Sequence, residues 1–298
     1  MASVRPATLD DVPAVTALNL ELFPYLAKTE DQYRHDLVRN AGDPRRAAYA
    51  AESDGRLVGW ATVVPATWRG IPGTFYLNLF VHPDHRRAGL GSQLLEALDT
   101  HLADHGATQV EALPTEGGLA FALRNGYQAD AEMRYAGADL RTLPPEPALP
   151  DGVTIVPLAD VDPDAAFSVY REAGLDIPAT PADATYEWFR QVVWNSPNLA
   201  WEFCAAAVDG DQVACLTISM VGAGGLWTDM TGTLRSHRGR GLARAVKWSV
   251  LRTAADNGLT AAFTANADGN RPMLAVNEWL GYRQVAKHIV VSRKLRIS

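Results

Sequence analysis

The sequence predicts two tandem α/β domains, and three observations carry the prediction. An arginine-glycine run occurs twice, as Arg86-Arg87-Ala88-Gly89-Leu90-Gly91 and as Arg238-Gly239-Arg240-Gly241-Leu242-Ala243. Each copy follows a strand-like run and opens a helix-like one. The 298 residues suit roughly two domains of about 150 residues each. Between the two copies, Leu143–Pro150 holds four prolines in eight residues, which excludes a helix or an interior strand. We read residues 1–142 as the first domain, 143–151 as a semi-rigid linker and 152–298 as the second domain.

The elements of the two halves can be justified in parallel. Each half begins with a strand, near Val4 or Val153, followed by a helix. Two hairpins follow. Ser53-Asp54-Gly55 joins Ala48–Ala51 to Leu57–Val63, and Asp209-Gly210 joins Phe203–Val208 to Gln212–Ser219. A strand then leads into each arginine-glycine run, Thr74–Val81 or Leu226–Thr233. The helix behind each run ends at Gly106 or Gly258, 152 residues apart like the runs themselves. Leu90, Leu94, Leu98 and Leu102 recur four apart in the first helix. Leu242, Val246, Val250 and Ala254 match them in the second, so each helix buries one stripe. Glycine suits the left-handed residue that ends such a helix. A further strand, Gln109–Leu113 or Thr260–Ala265, precedes a short helix closing on Asn125-Gly126-Tyr127 or Leu280-Gly281-Tyr282.

Composition narrows the function. A formal net charge of -7 and a pI near 5.5 argue against a general affinity for nucleic acid or anionic membrane. No apolar run reaches the roughly 20 residues a bilayer requires, and Met1–Arg5 lacks an apolar signal core, so a cytoplasmic location is expected. Cys204 and Cys215 flank Asp209-Gly210, a two-residue hairpin signal. Symmetric pairing about that turn would set the thiols opposite each other, and reduced thiols are expected in the cytoplasm. Two cysteines without a histidine cluster give no metal site.

A glycine-rich loop between a strand and a helix is suited to an anion. The first helical N–H groups are unpaired and carry about half a positive charge. Glycines let the backbone approach a ligand, and together these features bind phosphate or pyrophosphate. Arg86, Arg87, Arg238 and Arg240 add positive charge. The chain has no Walker Gly-x-x-x-x-Gly-Lys-Ser/Thr run. A dinucleotide fingerprint would require glycine where Arg244 stands.

Arg-x-x-Gly-x-Gly/Ala after a strand resembles the acetyl-CoA signature of the GCN5-related N-acetyltransferases (GNAT). The order of strands and helices in each half resembles that fold, and the resemblance covers nearly the whole chain. It implies two mixed, mostly antiparallel sheets flanked by helices, with acetyl-CoA as cosubstrate and no metal. The loop residues Arg86, Arg87, Ala88, Gly89, Leu90 and Gly91, and Arg238, Gly239, Arg240, Gly241, Leu242 and Ala243, would hold the pyrophosphate. Backbone groups near a strand bulge would contact the pantetheine arm. The carried-over positions are Leu79, Phe80 and Val81 in the first half, and Thr231, Gly232 and Thr233 in the second. The family's CoA-contacting Asn, eleven residues before the closing Gly, falls on Asn270 in the second half and on Thr115 in the first. Asn266 lies in the same run. Helix capping is the other reading of both asparagines.

The resemblance implies direct attack of an amine on the thioester, so a base must remove the amine's proton. Asp229 is the expected base, on one strand face with Trp227. Pairing with an arginine, or capping of a bulge, would also explain it. Its first-half counterpart is Leu77. The family's thiolate-protonating Tyr falls on Asn277 and, in the first half, on Ala122. Asn277 can hydrogen-bond the sulfur but is a poor acid. Catalysis is therefore assigned to the second half, and the first is expected to be non-catalytic.

Six of the eight tryptophans lie in the second half. They can pack a core or line an acceptor pocket fed by the Gly174–Asn198 segment. Trp248, off the buried stripe, is read as an interdomain or homodimer contact. Glu172, Asp176, Asp183 and Glu187 either attract a cationic amine or are solvated helix charges. The expected activity is acetylation of a small-molecule primary amine, with no nucleic-acid or membrane partner. The alternatives are a protein N-terminal or lysine acetyltransferase and a non-catalytic acyl-CoA sensor.

Overall fold

A computed structural model describes residues 3–67, 71–175 and 185–295. In chain order the first elements are β1 (Ser3–Pro6), α1 (Val12–Leu22), α2 (Glu30–Gly42), β2 (Ala47–Ser53), β3 (Arg56–Pro65), β4 (Thr74–Val81), α3 (Leu90–Asp104), β5 (Gln109–Ala112), α4 (Glu116–Arg124) and β6 (Gln128–Asp139). They are followed by β7 (Val153–Pro157), α5 (Pro163–Gly174), α6 (Tyr186–Phe189), β8 (Ala205–Asp209), β9 (Gln212–Gly222), β10 (Gly225–Thr233), α7 (Leu242–Asp256), β11 (Ala261–Ala267), α8 (Arg271–Trp279) and β12 (Arg283–Lys294). The chain is mixed α/β with mostly antiparallel pairing, as the resemblance implies. No helix among the described residues is long and apolar enough to cross a membrane.

The chain forms two compact units. Unit 1 is Met1–Met133 with Lys287–Ser298, and unit 2 is Arg134–Ala286. In unit 1 the strand order is β1-β2-β3-β4-β5 followed by the end of β12, and in unit 2 it is the end of β6 followed by β11-β10-β9-β8-β7. The expected division at 143–151 follows the chain order of the repeat, whereas the packing units differ from it at both closing strands. The end of β12 pairs antiparallel with β5, Val291 opposite Ala112. Ile289 and Val291 pack into the same core as the α3 leucines. Strands β6 and β12 carry no turn signal or clean alternation, and the sequence reading did not include them.

Each unit has two cores, one on each sheet face. In unit 1, Leu90, Leu94, Leu98 and Leu102 of α3 are at most 1% exposed and pack against β3, β4 and β5. Trp60 and Phe80 point to the opposite face, against α1 and α2. In unit 2, Leu242, Val246, Val250 and Ala254 of α7 form one core with Leu226 and Cys215. Met230, Ile218 and Leu216 form the other with α5. The helical stripe of period four thus buries as the sequence predicts, in both copies.

Two sequence expectations are corrected. The β8–β9 turn is Gly210-Asp211, with Asp209 opposite Gln212, and a register shift follows at Ala207/Val208. Cys215 consequently faces Ala207, and Cys204 and Cys215 lie in separate cores. Both are free thiols, and burial pushes each up to about 12. Trp248 is half-buried: its indole N–H donates to the Pro144 carbonyl at 2.8 Å, and it packs on the α7 core within unit 2. It anchors the proline-rich run, a contact within unit 2 that the sequence reading did not expect.

Because Ile289 is 7% exposed in the unit 1 core, Ile289→Ala is expected to cost about 2–4 kcal/mol. The loss should fall on unit 1. Hydrogen exchange should show deprotection of α3 and β5 amides, with α7 amides of unit 2 retaining theirs.

Candidate active site

The two arginine-glycine loops have the same backbone. Gly89 and Gly241 are left-handed N-caps, with φ of 84° and 83°, and no side chain caps either helix. Two positions earlier, Arg87 and Gly239 are left-handed as well, with φ of 63° and 77°. Glycine adopts this conformation without the cost a side chain incurs. Two left-handed residues before a helix curl the amides into a concavity that suits phosphate. The first arginine of each run works on the loop itself: Arg86 Nε donates to Val81 O at 3.0 Å, and Arg238 Nε donates to Thr233 O at 3.2 Å. Arg240 donates to Asp209 at 2.5 Å and holds that carboxyl below the usual range. Part of its expected positive charge is therefore already paired.

Strand β10 departs from its neighbours in two ways. It pairs in parallel with β11 only at Leu226–Ala262 and Trp227–Phe263. Two threonines close the vertex: Thr264 Oγ1 donates to Thr228 O at 2.9 Å, and Thr228 Oγ1 donates to Phe263 O at 3.3 Å. Beyond them the strands separate. On its other edge, β10 skips a register between Thr228 and Met230, so Asp229 is the extra residue of a bulge. The bulge reverses side-chain alternation. Leu226 faces the α7 core, while Met230, four residues on, faces the α5 core. Asp229 shares the α5 side with Trp227 by ordinary alternation, and Trp227 Nε1 donates to it at 3.1 Å; the bulge brings Met230 to that side as well.

Asp229 is exposed, with Trp227 and Tyr170 beside it. Desolvation there raises its carboxyl pKa, and the Trp227 hydrogen bond offsets part of the rise. Tyr170 of α5 lies near enough that the Asp229 charge adds to the effect of burial in raising its phenol. Tyr170 in turn meets Trp188 and Phe189 at ring distances of 6.4 and 5.1 Å. Trp188, Trp194 and Trp201 thus serve the α5 core, Trp248 and Trp279 pack on the α7 core, and Trp227 touches Asp229. Glu172 accepts from the Arg235 backbone N–H, and Glu187 is exposed on α6. Asp176 and Asp183 lie outside the described residues.

The remaining expected positions divide by what their side chains do. Thr231 Oγ1 bonds Thr217 Oγ1 at 3.0 Å, and Thr233 Oγ1 donates to Cys215 Sγ at 3.2 Å. Only their backbones remain to meet a ligand. A Cβ on Gly232 would lie 2.6 Å from Ala173 Cβ, so this glycine is required for α5 to sit against β10. Asn270 caps α8, accepting from Met273 N at 3.3 Å. Asn277 is buried at 3% exposure. Its Oδ1 accepts from Lys247 Nζ at 2.6 Å, and its Nδ2 donates to Asn266 Oδ1 at 2.6 Å.

Lys247 was missed in the sequence. It is 1% exposed, its Nζ lies 4.8 Å above the Tyr282 ring, and burial lowers it to about 7. Tyr282 packs in the α7 core and also bonds Thr228 through its hydroxyl at 3.2 Å. The one available signal was the repeat, which sets apolar Leu95 where the second half has Lys247.

Unit 1 is built differently at the same place. Strand β4 pairs with β3 from Phe75 to Val81 without a register shift, so it has no bulge there. Phe80 and Val81 are 5% and 7% exposed, and Leu79 packs on the α3 core. Beyond the last β4–β5 pair, Leu77–Ala112, ring contacts run from Phe80 through Phe23 to His288. His288 bonds Leu113 O at 2.8 Å and the Tyr25 hydroxyl at 2.9 Å. Aromatic side chains therefore bridge the gap that in unit 2 is closed only at its vertex. Among the described residues no group of three or more His, Cys, Asp or Glu could hold a metal ion.

Known proteins share this architecture. The chain is 30% identical over 224 residues to a mycothiol acetyltransferase of Kineococcus radiotolerans, covering 72% of this chain and 71% of that one. It is 28% identical over 259 residues to the mycothiol acetyltransferase of Amycolatopsis mediterranei, covering 77% and 78%. Among solved structures, a GCN5-related N-acetyltransferase from Sphaerobacter thermophilus superposes with a TM-score of 0.76 at 20% identity, over 99% and 96% of the two chains. A tandem GNAT protein from the clavulanic acid biosynthesis pathway gives 0.72 at 22%, over 99% and 98%. The sequence profile of the Acetyltransferase (GNAT) family matches residues 12–127 and again residues 168–282. One match falls in each compact unit, and the chain belongs to this family of acetyltransferases, with its domain in duplicate.

Proposed function

We propose that the chain moves an acetyl group from acetyl-CoA to the primary amine of a small molecule, and that unit 2 is where the reaction occurs. The observation that carries this reading is the Asp229 carboxylate, set at the β10 bulge on the α5 side just beyond the last β10–β11 pair. The mycothiol acetyltransferases among the relatives support a small-molecule acceptor.

The residues of unit 2 suit the parts of acetyl-CoA. The uncapped first turn of α7, with Gly239 and Gly241 left-handed before it, suits the pyrophosphate. The β10 edge beyond Trp227 has backbone groups at Thr231, Gly232 and Thr233 that no β11 pairing uses, which suits the pantetheine amides. Asp229 takes the proton from the incoming ammonium. A carboxylate with a raised pKa is a stronger base and is better matched to neutral pH. Backbone N–H groups at the bulge stabilise the oxyanion, and holding amine and thioester together supplies much of the rate. In unit 1 the unbroken β4 and the aromatic bridge support a non-catalytic role.

Release of free CoA thiol in the presence of a panel of small amines tests the reaction. Acetyl-CoA binding without amine-dependent release would overturn it. Asp229→Asn should lower kcat/KM by about 10²–10⁴-fold. Because the base acts deprotonated, wild-type kcat/KM should rise with pH through the elevated Asp229 pKa, and this rising limb should vanish in the variant. An unchanged profile would exclude Asp229 as the base.

The location of the reaction has a separate test. Gly241→Val forces a side chain into a left-handed backbone, at about 1–2 kcal/mol, and crowds the anion cradle. It should raise the KM for acetyl-CoA at least about tenfold. The matching Gly89→Val should leave kcat/KM within about twofold, and the reverse pattern would place catalysis in unit 1.

A further inference from the structure

Lys247 is a fully buried lysine, lowered by burial to about 7, with no carboxylate partner among the described residues. The groups facing it are Asn277 on α8 and the Tyr282 ring, whose hydroxyl bonds Thr228 of β10. On its own helix, Arg244 stacks on Trp279, 4.6 Å from the ring centroid. Burying an unpaired charge costs several kcal/mol, and the apolar counterpart in the repeat, Leu95, fills the same place in α3.

The lysine dictates the orientation of two amides. In its charged form Lys247 has donors only, and Asn277 then presents Oδ1 to it. Its Nδ2 is then turned to Asn266, which must present its own Oδ1. The Asn266 NH₂ is left at the end of this head-to-tail chain. Asn266 is half-exposed on β11, in the stretch that β10 has parted from. Each donor in such a chain polarises the next, so positive potential is carried from the buried ammonium to the wall of the cleft.

We propose that Lys247, Asn277 and Asn266 form a thiolate-stabilising relay in which the Asn266 N–H contacts the CoA sulfur and the other two are positioning residues. This rests on the proposed acetyl-CoA reaction in unit 2. In that reaction the C–N bond forms as the C–S bond breaks. The C–S electron pair stays on sulfur as CoA thiolate; Asp229 has already taken the ammonium proton, and the second proton shed by the new amide nitrogen goes to solvent. The negative charge that develops on sulfur is what the relay is built to meet. Asn277 thus acts from behind Asn266 rather than on the sulfur itself.

The test uses the product CoA and needs no knowledge of the amine. Calorimetry measures CoA binding to the full chain, and the ultraviolet absorbance of the thiolate titrates the thiol of bound CoA. In the wild-type complex the bound thiol should be at least about tenfold more acidic than free CoA. Lys247→Met puts an apolar chain of similar length in an apolar site, a replacement that folded proteins tolerate well. It should still bind CoA, with the thiol returned to within about twofold of free CoA. Asn266→Ala, which trims a half-exposed side chain, should do the same. A bound thiol whose acidity is unshifted in the wild type, or equally enhanced in both variants, overturns the relay alone. Failure of wild-type chain to bind CoA overturns the acetyl-CoA reading, and the relay with it.

Discussion

The parting of β10 from β11 after Trp227 and Phe263 is the constraint on which the rest of the second unit depends. Parallel strands normally continue to exchange backbone hydrogen bonds, and here the exchange passes to two threonine side chains and stops. Everything beyond the vertex is arranged around the resulting cleft. The strand edge carries unshared backbone groups, and the α7 N-terminus stands at the far end. The Asp229 bulge keeps β10 paired to β9 while reversing which side chains face α5. Without that one extra residue, Met230 would enter the α7 core.

Duplication supplied two such frameworks, and their side chains treat the cleft in opposite ways. Both loops keep the same pair of left-handed residues and the same arginine hook to the strand-end carbonyl. Such a loop is specified locally, by backbone conformation, and persists whatever lies behind it. The region behind it differs. Unit 1 has an unbroken β4, and Phe80, Phe23 and His288 in ring contact. Unit 2 has a bulge, an acid and a buried polar chain that starts at Lys247. Apolar contacts stabilise the first arrangement directly. The second retains a buried lysine, whose charged form burial disfavours.

The aromatic residues of unit 2 show how packing and site coincide. Phe167, Tyr170, Phe189 and Trp194 fill one core, and the face of that core nearest β10 borders Asp229. A carboxyl set beside this apolar wall is harder to ionise than one in water. The packing that stabilises α5 against Gly232 therefore also tunes the acid. Moving that helix outward would let solvent screen Asp229 and lower its basicity.

Local signals in the sequence determined the repeat, its elements and the phosphate-type loop. Thr74–Val81 and the helix ending before Gly106 are read from alternation, period-four leucines and a terminal glycine, all of which act within a few residues. The same reading set Asp229 on the strand that enters the second loop and, through the repeat, proposed the second half for the chemistry. Only the tertiary structure decided what depends on residues distant in sequence. Cysteine placement turned on a one-residue shift in the 210–211 turn and a bulge beyond it. The C-terminal strand packs in the first unit because its register with β5, nearly 180 residues earlier, buries Ile289 and Val291. Lys247 reads as an ordinary helix-surface charge until α8 and Tyr282 close over it. A sequence gives each residue its chemistry, but a buried ammonium and the amides it orients exist only once separate segments have excluded water from the same volume.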